Sequence, residues 1–315
     1  MNIIFLGTPS FAVPSLENLF AKGYTISAVV TQPDRPQGRN RKELTPSPVK
    51  IFAQSKGIQV FQPESPNKKE FIEELRSFHP DLMILAAYGR ILCKDLLNLC
   101  NAGIWNIHFS LLPRHRGASP VLAAMLAGDS ETGISLMKLA PKMDAGPVCS
   151  QAVLPIGAKD TREDLEEKLG RIAGPLVLDA IEKWQKKELI FTEQEEDKAT
   201  YCSIIKKEQG KISWEMDACY IERFIRAMIP WPCAYSILNS KSSENTILIK
   251  ESQIVDEDSC QTPGSIVRVE SDGIVVATGK GCLKILSLQK AGKRTMKTGE
   301  FLRGNSIHPG DFFLH

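Results

Sequence analysis

The stretch Ile104-Trp105-Asn106-Ile107-His108-Phe109-Ser110-Leu111-Leu112-Pro113-Arg114-His115-Arg116-Gly117 begins as a buried strand and ends as a polar turn. Upstream, residues 82–87 form a second apolar run of strand length, separated from the first by a helical pattern over 92–99. The same alternation extends both ways. Runs at 2–6, 26–30 and 58–61 read as strands, and 133–139 and 148–156 as extended. Between them Phe11, Leu16, Leu19 and Phe20 recur at helical spacing, with Ser10 the expected N-cap and Pro14 in the first turn. Residues 49–53, Phe71 to Phe78 and 121–126 supply further helices. Strands alternating with helices of this length build βαβ units, so the predicted class is α/β with a mainly parallel sheet. Ligands of such sheets bind at the carboxyl ends of the strands, which is where the quoted stretch turns polar.

The second half has a different grammar. Residues 164–184 are helical in pattern, with a kink expected at Gly174-Pro175. The charged run over 193–198 has no core face and reads as a linker. Beyond it come one helix (218–228), Pro230-Trp231-Pro232, and short apolar runs separated by Gly, Asp and Ser, the pattern of a small antiparallel barrel. The expected division is therefore a first domain over 1–190, a linker over 191–205 and a second domain over 206–315.

Composition narrows the function classes. With 43% hydrophobic and 24% charged residues the chain is globular. Lys and Arg number 39 against 37 Asp and Glu, so any site for a polyanion must be a local patch. The most basic stretch, Lys290, Lys293 and Arg294 with Lys297 and Arg303, reads as nearly unopposed, either a solvated face or a phosphate-tracking patch. The longest apolar run falls far short of the roughly 18 residues that cross a bilayer. The first residues lack a basic region and soon meet Pro9 and Pro14, unlike a signal peptide, so a cytoplasmic address is expected. Eight cysteines without CxxC pairs are expected as buried, reduced thiols, and no metal site is expected. HExxH, GxSxG, GxGxxG and GxxxxGK[ST] are missing, which removes support for a metalloprotease, a serine hydrolase, a dinucleotide dehydrogenase and a P-loop kinase. Without heptads or a long apolar stripe, a monomer is expected.

Residues two apart on a strand share a side, so Asn106 and His108 project together. An amide beside an imidazole suits a carbonyl oxygen that becomes an oxyanion. Met143-Asp144-Ala145-Gly146 places a carboxylate in a turn between two extended runs. If that turn returns to the same edge, Asp144 holds His108 cationic or accepts a proton. On spacing alone, the alternative is a structural histidine and a turn-forming aspartate. Arg35, Arg39, Arg41 and Lys42 lie among Pro36, Gly38, Asn40 and Pro46, a loop composition that cannot bury a core.

Asn106-x-His108, followed by Ser110-Leu111-Leu112-Pro113-x-x-Arg116-Gly117 and by Asp144 downstream, resembles the signature of the folate-dependent formyltransferases. Thr31-Gln32-Pro33-Asp34-Arg35-Pro36-x-Gly38-Arg39, running into Pro46-Ser47-Pro48-Val49-Lys50, resembles a loop of the branch that acts on methionyl-tRNA. Ile225-Arg226-Ala227 with Pro230-Trp231-Pro232, and Ala277-Thr278-Gly279-Lys280-Gly281, are similar to that branch as well. The likeness spans nearly the whole chain. It implies a Rossmann-like domain followed by a β-barrel related to the OB fold. It also implies 10-formyltetrahydrofolate as formyl donor and methionine-charged initiator tRNA as partner, the formyl group moving to the methionine α-amine. Matched by position, Asn106, His108 and Asp144 would be catalytic, and Ser110, Leu111, Leu112 and Pro113 would contact folate. Tyr88, Gly89, Ile91 and Leu92 would line the pterin pocket, although Ile91 and Leu92 read equally as core residues. Gly7 and Thr8 open a turn like the family's first. The basic loop, Arg39 above all, would close over the acceptor end of the tRNA, with Lys290, Lys293 and Arg294 as further phosphate contacts.

The expected chemistry is direct transfer. An α-amine with a reference pKa of about 8 is nucleophilic near neutrality. Asn106 and protonated His108 would donate to the oxygen while Asp144 stabilises the imidazolium and helps proton transfer. Four departures from the family pattern stand out. Phe109 replaces a small residue, which would narrow the pocket near His108; His115 replaces an aromatic, Ala145 a threonine and Cys93 a proline. Three other readings compete: a formyltransferase for a small amine such as a nucleotide or amino sugar, a 10-formyltetrahydrofolate hydrolase, and a non-catalytic tRNA-binding protein.

Overall fold

The computed structural model describes residues 1–36, 44–240 and 243–314. Arg39, Arg41 and Lys42 lie outside the described residues. The chain divides into two units, the first comprising Met1–Val121, Glu131–Pro155 and Leu165–Ser203, the second Leu122–Ser130, Ile156–Asp164 and Ile204–His315.

Seven strands form the sheet of the first unit: β1 (Asn2–Gly7), β2 (Thr25–Val30), β3 (Val60–Phe61), β4 (Leu82–Ala86), β5 (Ile104–His108), β6 (Glu131–Lys138) and β7 (Val148–Pro155). Their order is β7-β6-β5-β4-β1-β2-β3. The five strands from β5 to β3 are parallel, and β6 and β7 continue the sheet antiparallel. Every residue of β4 is buried, as expected for a central strand covered on both faces. On one face Ile4 and Leu6, Ala28 and Val30, and Met83 and Leu85 form a core with Phe71, Ile72 and Leu75 of the helix Lys69–Arg76. Trp105, pointing the other way from β5, packs edge-on against Trp184 at 6.1 Å and Phe191 at 5.9 Å.

Local details depart from the sequence reading. The first α-helix runs Val13–Ala21, preceded by a 3-10 turn, Ser10–Ala12, so Ser10 does not cap it; Pro14 lies in its first turn. The segment 92–99 yields only the short helix Lys94–Leu97. Arg162–Gln185 is one helix with Pro175 inside it. Within the first unit Tyr201–Cys202 pairs in parallel with Arg116–Gly117.

The second unit holds an antiparallel sheet in the order Ile266–Val269, Ile274–Ala277, Cys282–Lys290, Ser243–Val255, Ala234–Ser240, Phe312–Leu314. Its two ends meet: Ile266 N donates to Asp311 O at 2.8 Å and Phe313 N to Gly264 O at 2.8 Å, nearly closing a barrel. Trp214, fully buried, packs on Phe313 and donates through its indole to Ser236 Oγ at 3.1 Å. The helix Ala218–Ala227 is capped by Asp217, whose carboxylate accepts from Tyr220 N at 2.6 Å. All eight cysteines are free.

Candidate active site

Asn106 and His108 point to the same side of β5 and are nearly buried, at 6% and 5% exposure. The loop after β6 folds back over that side and brings Asp144 to both. Asp144 Oδ1 accepts from Asn106 Nδ2 at 3.5 Å, and Oδ2 lies 3.7 Å from His108 Nδ1. Gly117 N holds the same Oδ2 at 2.8 Å. The three groups that the sequence separates by up to 38 positions therefore converge on one point.

The second ring nitrogen fixes the proton. His108 Nε2 is 3.0 Å from the His115 carbonyl oxygen, which only accepts, so Nε2 carries the hydrogen and Nδ1 presents its lone pair beside Asp144. Burial pulls the His108 pKa below its ordinary value, opposed by the Asp144 carboxylate and the bond to His115. The cation expected from the sequence is thus disfavoured at rest, because desolvation outweighs the carboxylate. An unfolded histidine titrates at about 6.5. Below that pH the unfolded chain takes up a proton that the folded ring resists, so His108's contribution to stability falls as pH drops.

Around these residues the loops are tied down by groups that the sequence reading did not single out. Ser135 Oγ donates to Ser110 O at 2.7 Å and accepts from Leu112 N at 2.9 Å, and Gln151 Nε2 donates to Leu112 O at 3.0 Å. Ser110 is fully buried and its hydroxyl serves the Arg114 carbonyl, so this turn presents Leu111 and Pro113 more than Ser110. Gln194 Nε2 spans Asp144 O at 2.8 Å and Gly146 O at 2.7 Å. Fully buried Arg116 donates to Gln194 Oε1, Glu196 Oε1 and Tyr201 OH, so the charged run over 193–198 is the backing of the Asp144 loop. Gln194→Ala is expected to lower turnover about tenfold with little change in fold, since Asp144 loses a support and no contact to substrate; steady-state kinetics beside a urea melt check it.

A cleft of 640 Å³ opens at the carboxyl ends of β1, β2 and β4, lined among others by Thr8, Gln32, Arg35, Ser47, Gly89 and Arg90. Gln32 Nε2 donates to Tyr88 O at 2.9 Å and Arg35 donates to Gln32 Oε1 at 3.3 Å. Lys50 binds Asp34 Oδ2 at 2.5 Å and Gln62 Oε1 at 2.7 Å, anchoring the start of the 33–48 loop to the helix Pro48–Ser55. The Tyr88 side chain is 1% exposed within the core, with burial pushing its hydroxyl up to about 12, so it contributes backbone to the cleft. Ile91 is 80% exposed, whereas Leu92 packs on the core. Asn67 brackets this segment, donating to Ile91 O and accepting from Cys93 N.

Two expectations are corrected. Phe109, one position on from His108, points away and packs edge-on against Phe11 at 4.8 Å, so it does not narrow the pocket. The basic stretch of the second unit is not unopposed: Arg294 pairs with Glu300, and Lys297 with Glu251 at 2.5 Å. Lys293 and Arg294 are exposed and Lys290 half-buried.

Comparison with known proteins bears on this geometry. The Formyl transferase family profile matches residues 1–181, and that of the Formyl transferase C-terminal domain residues 204–306. A methionyl-tRNA formyltransferase of Nitrosomonas europaea is 42% identical over 316 residues, covering 99% of this chain and 96% of the relative. The chain belongs to the methionyl-tRNA formyltransferase family. A member from Caldanaerobacter subterraneus subsp. tengcongensis is 39% identical and covers 98% of this chain and 99% of its own. Among solved structures, the family member from Clostridium thermocellum shares the fold at a TM-score of 0.54 and 18% identity, over 82% of this chain and 95% of that one. HypX from Aquifex aeolicus, solved with tetrahydrofolic acid, aligns at a TM-score of 0.66 and 18% identity, over 99% of this chain but 50% of that longer protein.

Proposed function

We propose that this chain transfers the formyl group of 10-formyltetrahydrofolate to the α-amine of methionyl initiator tRNA, by direct attack of the amine. The observation that carries the reading is the meeting of Asn106, His108 and Asp144 in a chain of this family. Asn106 Nδ2, held only loosely by Asp144, donates to the formyl oxygen as it gains charge. Neutral His108 accepts through Nδ1 the proton that the amine sheds, and Asp144, steadied by Gly117 N, stabilises the imidazolium. That proton then passes to the departing folate nitrogen, so the enzyme ends as it began. No acyl-enzyme is required, because the amine is already an adequate nucleophile.

The chain's surfaces suit both substrates. A flat pterin needs apolar contact with backbone polar groups nearby, and the exposed Ile91 beside the open backbone at Gly89 offers both. Arg35 and Arg90 line the cleft, and their guanidinium groups would meet a phosphate of the acceptor end. Arg39, Arg41 and Lys42 in the adjoining loop, and Lys290 and Lys293 in the second unit, would add phosphate contacts, and Arg294 would do so in exchange for Glu300. The reading includes a first domain over 1–190, a linker over 191–205, a barrel domain over 206–315, a monomer, and action in the cytoplasm.

The test is a formyl-transfer assay with charged initiator tRNA, run beside free methionine, amino sugars and no acceptor. Transfer restricted to the tRNA is expected. Equal formylation of a small amine, or formate release at full rate without acceptor, would overturn the reading.

A further inference from the structure

The second unit holds two reactive side chains that formyl transfer does not use. Cys233 precedes the strand Ala234–Ser240 and is 5% exposed; Lys250 lies on Ser243–Val255. Ala234 pairs with Ile249 in the antiparallel ladder, so the next position outward sets residue 233 opposite residue 250. Facing residues on neighbouring strands touch. Lys250 Nζ lies 2.7 Å from Cys233 Sγ, and the thiol donates to Pro230 O at 2.9 Å. Cys233 has φ +68, a left-handed conformation uncommon for a residue with a side chain, so the backbone aims the sulfur. Register and backbone together hold a sulfur and an amine nitrogen at reacting distance, which raises their effective concentration.

We propose that Cys233 and Lys250 are a modification site at which hydrogen peroxide closes a covalent N–O–S bridge. One peroxide oxidises the thiol to a sulfenic acid, forming the S–O bond and releasing water. The second removes two hydrogens as the sulfenic oxygen bonds to neutral Nζ, releasing two more waters. In total one thiol, one amine and two peroxides give one bridge and three waters; sulfur and nitrogen each lose two electrons. The 2.7 Å separation is too wide for a sulfur–nitrogen bond and accommodates one intervening oxygen, so the strands need not move. A dithiol reductant returns thiol, amine and water.

Peroxide titration of the full-length protein, followed by tryptic mapping without reductant, tests this. Cleavage after Lys250 should be lost, and peptide 227–241 should appear joined to 242–268 at about 14 Da above their summed masses. The joined species should vanish with dithiothreitol, be absent from Cys233→Ser and Lys250→Arg, and accompany a rise in melting temperature of the parent protein. Exposed Cys219 and Cys260 report that oxidant was sufficient, and each oxygen that Cys260 gains is counted as about 16 Da in the mass of 242–268 before the two peptides are summed. Their oxidation with Cys233 unchanged would overturn the proposal. So would Cys233 carrying only sulfenic or sulfinic acid, or a link about 2 Da below the summed masses, which marks a direct sulfur–nitrogen bond.

Discussion

Asp144→Asn is expected to lower turnover about 10³-fold while leaving KM for methionyl-tRNA within about a factor of two. The substitution keeps the shape and keeps an oxygen for Gly117 N, which now lies 2.8 Å from Oδ2. What disappears is the negative charge 3.7 Å from His108 Nδ1. Burial already opposes a cation on that ring, so without the carboxylate the proton shed by the amine has no favourable place to go. Single-turnover transfer and tRNA binding, measured separately, check the prediction. A turnover within fivefold of the parent would assign Asp144 to holding the loop alone.

Gly117→Ala should destabilise the protein by at least about 3 kcal/mol and cost most of its activity. Gly117 has φ +124, and a Cβ there would lie 2.0 Å from the Cys202 carbonyl oxygen. The parallel pairing of Arg116–Gly117 with Tyr201–Cys202 would have to open. That pairing holds the segment whose Gln194 braces the Asp144 loop, and Gly117 N itself grips Asp144. Stability and catalysis therefore fall together, unlike the Asp144→Asn case. A shifted urea midpoint with a parallel loss of transfer is the expected result; an unchanged midpoint would mean the segment tolerates displacement.

Much of this arrangement is legible in the sequence because burial leaves period and length behind. The five apolar residues of β4, and the alternation that sends Asn106 and His108 one way and Trp105 the other, are read directly from residue order. The same alternation sends Phe109 to Phe11, a consequence that a reading by family position obscures. Gln194 was not legible: it lies in a charged run without periodicity, and only tertiary folding turns its amide toward Asp144 O and Gly146 O. Charge pairing across the barrel was equally hidden, since Glu251 is 46 positions from Lys297. The state of His108 is a third case, because desolvation depends on what covers the ring.

Whether a neutral His108 takes the amine proton beside Asp144 is tested by the pH dependence of single-turnover formyl transfer to methionyl initiator tRNA, in the parent and in His108→Ala. The parent rate is expected not to decline between about pH 6.5 and 8 and to rise as the amine, with a reference pKa of about 8, loses its proton. In His108→Ala the rate should fall at least about 10²-fold with tRNA binding retained. A parent rate that declines as pH rises through this range, showing that protonated histidine is the working form, or a His108→Ala enzyme at parental rate, would contradict it.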